Sequence, residues 1–142
     1  MSMRSLLIPL AAMTLVGCAG SGSRTPDKPL GEQISYDSGQ KLDQALAGLT
    51  PGKPESCLPQ TRTPSSSSYG RTIVYRYSRN LMYRNDMGPG CERMGNSGDV
   101  MVASTPLGRF CRGDIVRLVD RVSGFPTGSC SFGDFIPYRK AR

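Results

Sequence analysis

Residues 72–84 read TIVYRYSRNLMYR, and this stretch decides the fold. Thr72-Ile73-Val74-Tyr75-Arg76-Tyr77 is β-branched and aromatic, and such side chains suit a pleated, half-buried surface. Ser78-Arg79-Asn80 then turns the chain, with Asn80 tolerant of positive φ, and Leu81-Met82-Tyr83-Arg84 continues as a second strand. The segment predicts an antiparallel hairpin.

On the C-terminal side, Asp99–Ala103 and Asp114–Val119 have the same character and predict two more strands, joined through the turn-like Thr105-Pro106-Leu107-Gly108. A last short strand is expected from Phe132 to Tyr138, where Pro137 lacks an N–H and should confine it to a sheet edge or a strand end. On the N-terminal side the period changes. Leu42, Ala45, Leu46 and Leu49 recur at i, i+3, i+4 and i+7, one face of a helix that Asp37 or Ser38 can cap and Thr50-Pro51-Gly52 stops. A helix of about three turns is marginal alone in water, so its leucines must dock on a core. The expected fold is mainly β: a small antiparallel sheet or partly closed barrel of about five strands, with one short N-terminal helix.

Cysteine usage places this domain. Five cysteines are present, and Cys18 stands apart in LVGCAG at residues 15–20. Before it, MSMRS supplies a positive start through Arg4, and Leu6 to Val16 is an apolar run. That run is too short for a membrane-spanning helix, which needs about 20 residues, and matches the apolar region of a signal peptide. Leu15-Val16-Gly17-Cys18 resembles a bacterial lipobox, which implies cleavage before Cys18 and a diacylglycerol on its thiol. Residues 1–17 are then a lipoprotein signal peptide. Ala19 and Gly20 follow without an aspartate, which resembles an outer-membrane address, so the expected location is the bacterial envelope, on the outer membrane facing the periplasm. Residues 18–35 are rich in Gly, Ser and Pro and read as a lipid-anchored flexible tether of about 20–25 Å. Residues 36–142 form a single domain.

The other four cysteines, Cys57, Cys91, Cys111 and Cys130, form an even set in an exported chain and predict two disulfides. Their spacing contains no close pair of the kind a structural zinc site uses, so no metal and no cofactor is expected. Three connectivities are open. The short Gly-rich loop between Cys91 and Cys111 favours that pair, with Cys57 joined to Cys130.

ALAGLTPGKPESC at residues 45–57, CRGDIVRLVD at 111–120 and CSFGDFIPYRK at 130–140 resemble blocks of a family of uncharacterised small exported proteins of Alphaproteobacteria, sphingomonads especially. The likeness spans roughly residues 40–140, and it implies the cysteine framework but no activity, ligand or catalytic residue.

Chemistry is narrowly bounded. The chain has no histidine, which removes Ser-His-Asp and Cys-His mechanisms. Asp86, Glu92, Asp99, Asp114, Asp120 and Asp134 could in principle form a carboxylate pair, but most adjoin Gly or Asn in turns or at strand ends, where Asp commonly serves the backbone. Arg112-Gly113-Asp114 spells an integrin tripeptide by chance at the start of a strand. No enzyme is expected.

Charge is the informative deviation. Residues 56–142 hold thirteen bases, twelve of them arginine, against six acids, whereas residues 18–55 hold four bases against five acids. Arginine offers a planar fork suited to phosphate and carboxylate. Arg76, Arg79 and Arg84, interleaved with Tyr75, Tyr77 and Tyr83, are the candidate anion-binding set. Expected partners are the membrane, through the N-terminal lipid, and an anionic envelope glycan, lipid A phosphate or acidic protein; nucleic acid is not expected outside the cytoplasm. The function that follows is an envelope lipoprotein acting as a binding or structural module. The alternative is an inhibitor-like lipoprotein that blocks an incoming hydrolase through a protruding loop at Met87 to Gly98.

Overall fold

The structure, a computed structural model, describes residues 30–94 and 98–141, with side chains from residue 37 onward. The proposed signal peptide, Cys18 and the first part of the tether lie outside the described residues. A helix α1 (Leu30–Leu46) is followed by eight strands: β1 (Leu49–Pro51), β2 (Ser65–Tyr69), β3 (Thr72–Ser78), β4 (Leu81–Asp86), β5 (Val100–Ala103), β6 (Ile115–Val119), β7 (Pro126–Ser131) and β8 (Phe135–Lys140). They form two antiparallel sheets, of order β1-β8-β4-β3-β2 and β5-β6-β7. Both sheets have free edges, so neither closes into a barrel. The helical backbone of α1 reaches back to Leu30, into the stretch read as tether, and no helix among the described residues is long and apolar enough to cross a membrane.

Alternation along β3 explains the layering. Ile73, Tyr75 and Tyr77 point to one face, where they join Tyr83, Phe135, Phe132, Val116, Leu118 and Cys130 in a core between the two sheets. Val74 points to the other face and packs with Met82 against Leu42 and Leu46 of α1. The leucine stripe of the helix therefore docks on the large sheet, as its periodicity predicts. The aromatic rings interlock, with Phe110–Phe132 centroids 5.0 Å apart and Phe132–Phe135 5.7 Å apart, within the range at which tilted rings attract.

Pro137 corrects an expectation. β8 is an interior strand, between β1 and β4. The proline is tolerated because its carbonyl points away from β4 and accepts from Gly52 N at 2.7 Å, just past the end of β1. Its missing donor thus falls where β1 has already stopped, and the pairing with Tyr83 of β4 loses no ladder bond.

The disulfides correct another. Cys57 pairs with Cys111 and Cys91 with Cys130, not Cys91 with Cys111. Short sequence separation was the wrong guide, because the chain around Cys57 runs antiparallel beside the chain around Cys111. Arg112 N donates to Ser56 O at 2.7 Å and Leu58 N to Phe110 O at 2.8 Å, leaving the two cysteines opposite each other with Cα atoms 4.0 Å apart. Cys130 faces inward from β7, and Cys91, fully buried in the segment after β4, meets it there.

One polar side chain belongs to this core. Asn85 has no exposed surface, and its amide donates to Gly133 O at 2.8 Å and Asp134 O at 3.2 Å while accepting from Gly133 N at 3.3 Å. A buried amide is costly only when unpaired, and this one fastens the entry of β8 to β4.

Candidate functional site

A concavity with a volume of about 450 Å³ lies between residues 58–64 and 108–110. Sequence alone makes both walls irregular. Leu58-Pro59-Gln60 and Thr63-Pro64 cannot sustain a ladder, since neither proline donates, and Gly108 takes φ +66° to close the turn in which its N–H reaches Thr105 O at 3.0 Å. The turn read at Thr105–Gly108 is therefore present, and it serves as a wall of this pocket.

Three fasteners hold the walls. The Cys57–Cys111 bridge and the Leu58–Phe110 hydrogen bond clamp the base, and Gln60 Nε2 donates to Gly108 O at 2.5 Å across the rim. The Tyr77 hydroxyl donates to Pro59 O, which fixes that wall to the large sheet. Burial, then the neighbouring Tyr83 and Glu55, raise the pKa of Tyr77 above its ordinary value, so it remains a neutral donor.

The lining is apolar and aromatic at Leu58, Pro59, Pro64, Tyr77 and Phe110, with Arg62 and Arg109 as its charged members. No carboxylate lines it. Arg62 Nη1 makes a long contact of 3.4 Å to Tyr77 O, and neither arginine forms an ion pair among the described residues. Two unneutralised guanidiniums over an apolar floor can receive a carboxylate or phosphate through forked hydrogen bonds while the floor takes an apolar body.

The arginines singled out from sequence are arranged differently. Strand register puts Arg76 opposite Met82 and Arg84 opposite Val74, so Arg76 and Arg84 do share a face of the hairpin, diagonally across it. That is the face carrying α1. Tyr75, Tyr77 and Tyr83 are buried on the other face, so the tyrosines do not join these arginines in one surface. Arg79 is exposed in the β3–β4 turn, and Arg84 is bound by Asp86 at 3.0 Å, a contact that strengthens its hold on its proton although burial works the other way. Arg62 and Arg109 were missed. Their signal was present only as proline and glycine neighbours, which mark loops without saying that two loops meet.

The six carboxylates considered for catalysis are each engaged in structure. Asp86 accepts from Thr72 and Arg84, Asp99 from Thr127, Asp114 from Cys111 N, and Asp134 from Arg112. Glu92 accepts from Gly90 N and Asp120 from its own turn, and these backbone donors hold both acids below their ordinary pKa. The Arg112-Gly113-Asp114 tripeptide is consumed the same way, its two charges tied to Asp134 and to Cys111 N. No cluster of three or more potential metal ligands forms among the described residues.

Over its described part, the loop considered for hydrolase inhibition exposes Pro89, Gly90, Glu92 and Arg93 and anchors itself by its apolar residues. Met87, Cys91 and Met94 are buried, and Gly88 N donates to Ser131 O at 2.9 Å. Residues 95–97 lie outside the described residues. No protein-family model, no curated protein and no solved structure matches the chain.

Proposed function

We propose that the chain is an envelope lipoprotein, anchored through an acylated Cys18 on the outer membrane facing the periplasm, and that its domain is a non-catalytic module that binds an anionic envelope ligand. The observation that carries this reading is the pair of unneutralised arginines, Arg62 and Arg109, over the apolar floor of the pocket. A glycan carboxylate, a lipid A phosphate or an acidic side chain would each meet the same fork. Engagement of the six carboxylates in turns and ion pairs supports binding over catalysis.

The test is equilibrium binding of the acylated protein to diphosphoryl lipid A, to the same lipid dephosphorylated, and to an anionic envelope polysaccharide. Binding should require the anion and fall steeply as salt rises, since exposed charges are screened beyond about 8 Å at physiological ionic strength. Arg62→Gln with Arg109→Gln should weaken it at least tenfold with the circular dichroism spectrum unchanged, whereas Arg76→Gln with Arg84→Gln should not. Equal affinity for the dephosphorylated lipid and neutral glycans would sink the proposal. Palmitate labelling that survives Cys18→Ser would refute the anchor separately.

A further inference from the structure

The β6–β7 turn carries the most exposed large apolar side chains of the described fold. Val122 is 95% exposed and Phe125 71%, with Arg121 beside them. This is a built turn. Asp120 Oδ1 accepts from Val122 N at 3.0 Å, Ser123 N at 2.7 Å and Ser123 Oγ at 2.8 Å, while Asp120 N donates to Phe125 O and Gly124 N to Asp120 O, both at 2.9 Å. Gly124 supplies the positive φ of +73° that the closure needs. The only acid of the turn is thereby drawn inward, and the two apolar side chains are held outward on a fixed frame.

The adjoining sheet face extends this surface. Val116 and Leu118 of β6 are fully buried, so alternation turns Ile115, Arg117 and Val119 outward, beside Val100 and Val102 of β5. Ile115 is 49% exposed, and Arg117 sits between the valines and Ser129 of β7. Neither Arg117 nor Arg121 forms an ion pair among the described residues. An arginine at the centre of the patch disfavours a second copy of the chain, because a two-fold contact would bring like charges together.

We infer that this turn and sheet face dock on an anionic phospholipid surface, with Val122 and Phe125 at the boundary between headgroups and acyl chains and with Arg117 and Arg121 on the phosphates. Apolar side chains projecting beside unpaired cations complement that interface in both polarity and charge. The inference rests on the acylated Cys18 for proximity. Residues 18–29 can span up to about 40 Å when extended, and the face lies about 20 Å from α1 across two layers, so it is within reach of the membrane.

The chain contains no tryptophan, so Phe125→Trp places a single reporter at the tip. The acylated Phe125→Trp protein is reconstituted into vesicles of 70% phosphatidylethanolamine and 30% phosphatidylglycerol, with or without brominated acyl chains, and into phosphatidylcholine vesicles. Emission should shift to the blue and be quenched by bromine in the anionic vesicles, with quenching reduced at least threefold by Val122→Asp, by 0.5 M salt or by neutral lipid. Solvent-like, unquenched emission in the anionic vesicles would overturn the inference, and a blue shift arising only when a soluble envelope extract is added would assign the face to a protein instead. Mass spectrometry of the same sample keeps the anchor distinct: an acylated but unquenched protein refutes the docking alone. Absence of acylation at Cys18 in that spectrum would refute the anchor alone, and quenching of such a chain by added vesicles would still uphold the docking.

Discussion

Gly90 and Gly128 pack backbone to backbone: a Cβ on Gly128 would land on the carbonyl oxygen of Gly90, and a Cβ on Gly90 would land on that of Ser129. The segment after β4 can approach β7 this closely only because both positions lack a side chain. The obstructing atoms are backbone and cannot rotate away. Gly128→Ala should therefore destabilise by about 3 kcal/mol, the upper range for overpacking, read as a lower denaturant midpoint. Gly39→Ala, with nothing near its Cβ, is the control and should be neutral or slightly stabilising.

Tyr75 is a different kind of liability. It is buried between Phe110 and Phe135, with ring centroids 5.9 and 6.1 Å away, and its hydroxyl has no hydrogen-bond partner among the described residues. Burial, then the nearby Tyr77, raise its pKa far above the ordinary tyrosine value. Tyr75→Phe removes only the unpaired group. Stability should rise by about 1 kcal/mol, seen as an increase in Tm of a few degrees.

The Cys57–Cys111 bridge joins stability to the pocket. Replacing both cysteines by serine opens a loop with a sequence separation of 54 and should cost about 2–5 kcal/mol. The same change frees Leu58 and Phe110, so anion binding at Arg62 and Arg109 should weaken in a protein that still folds at low temperature. The Cys91–Cys130 bridge holds β7 and should affect stability without that selective loss of binding. Calorimetry and ligand titration on the two double variants separate these outcomes.

Asp120 makes the β6–β7 turn sensitive to acid. Its folded pKa lies below the ordinary aspartate value, chiefly through the Ser123 backbone donor and then the Ser123 hydroxyl. A depressed carboxyl contributes order that is complete above its unfolded pKa and is lost as pH falls through the folded one. The amide resonances of Val122 and Ser123 should therefore be constant from neutral pH down to the ordinary aspartate range and move together below it. Asp120→Ala should abolish the transition.

What sequence could show depended on whether a strand carries its own signal. β3 and β4 were legible because their side chains alternate between two cores, and β5 and β6 because their valines and isoleucine are β-branched. β2 is four serines and a tyrosine, with no intrinsic preference for a strand; it exists because β3 offers Thr72 to Arg76 as a pairing edge. β7, PTGSCS, is likewise a strand by pairing with β6, and its Gly128 is required by the approach of Gly90 rather than by its own ladder. β1 was read as the end of a helix, since Leu49 completes the leucine period and Pro51 stops it. The count of about five strands thus became eight in two sheets. The pocket was illegible for a related reason: Arg62 and Arg109 are far apart in the chain, and the cystine that brings their loops together has a connectivity that spacing does not determine.

The two outer strands of the large sheet bear on how such a molecule behaves when many copies share one surface. Confinement to a membrane raises local concentration without raising the total amount, and an open strand edge is a template for the next copy. β1 is three residues long and ends in Pro51, while β2 offers a row of hydrated serines. A three-residue edge ending in proline, and an edge of four serines without an apolar stripe, are poor templates for a neighbouring sheet. Under the proposed anchoring, the plainness of SSSSY would limit pairing between crowded copies through the larger sheet.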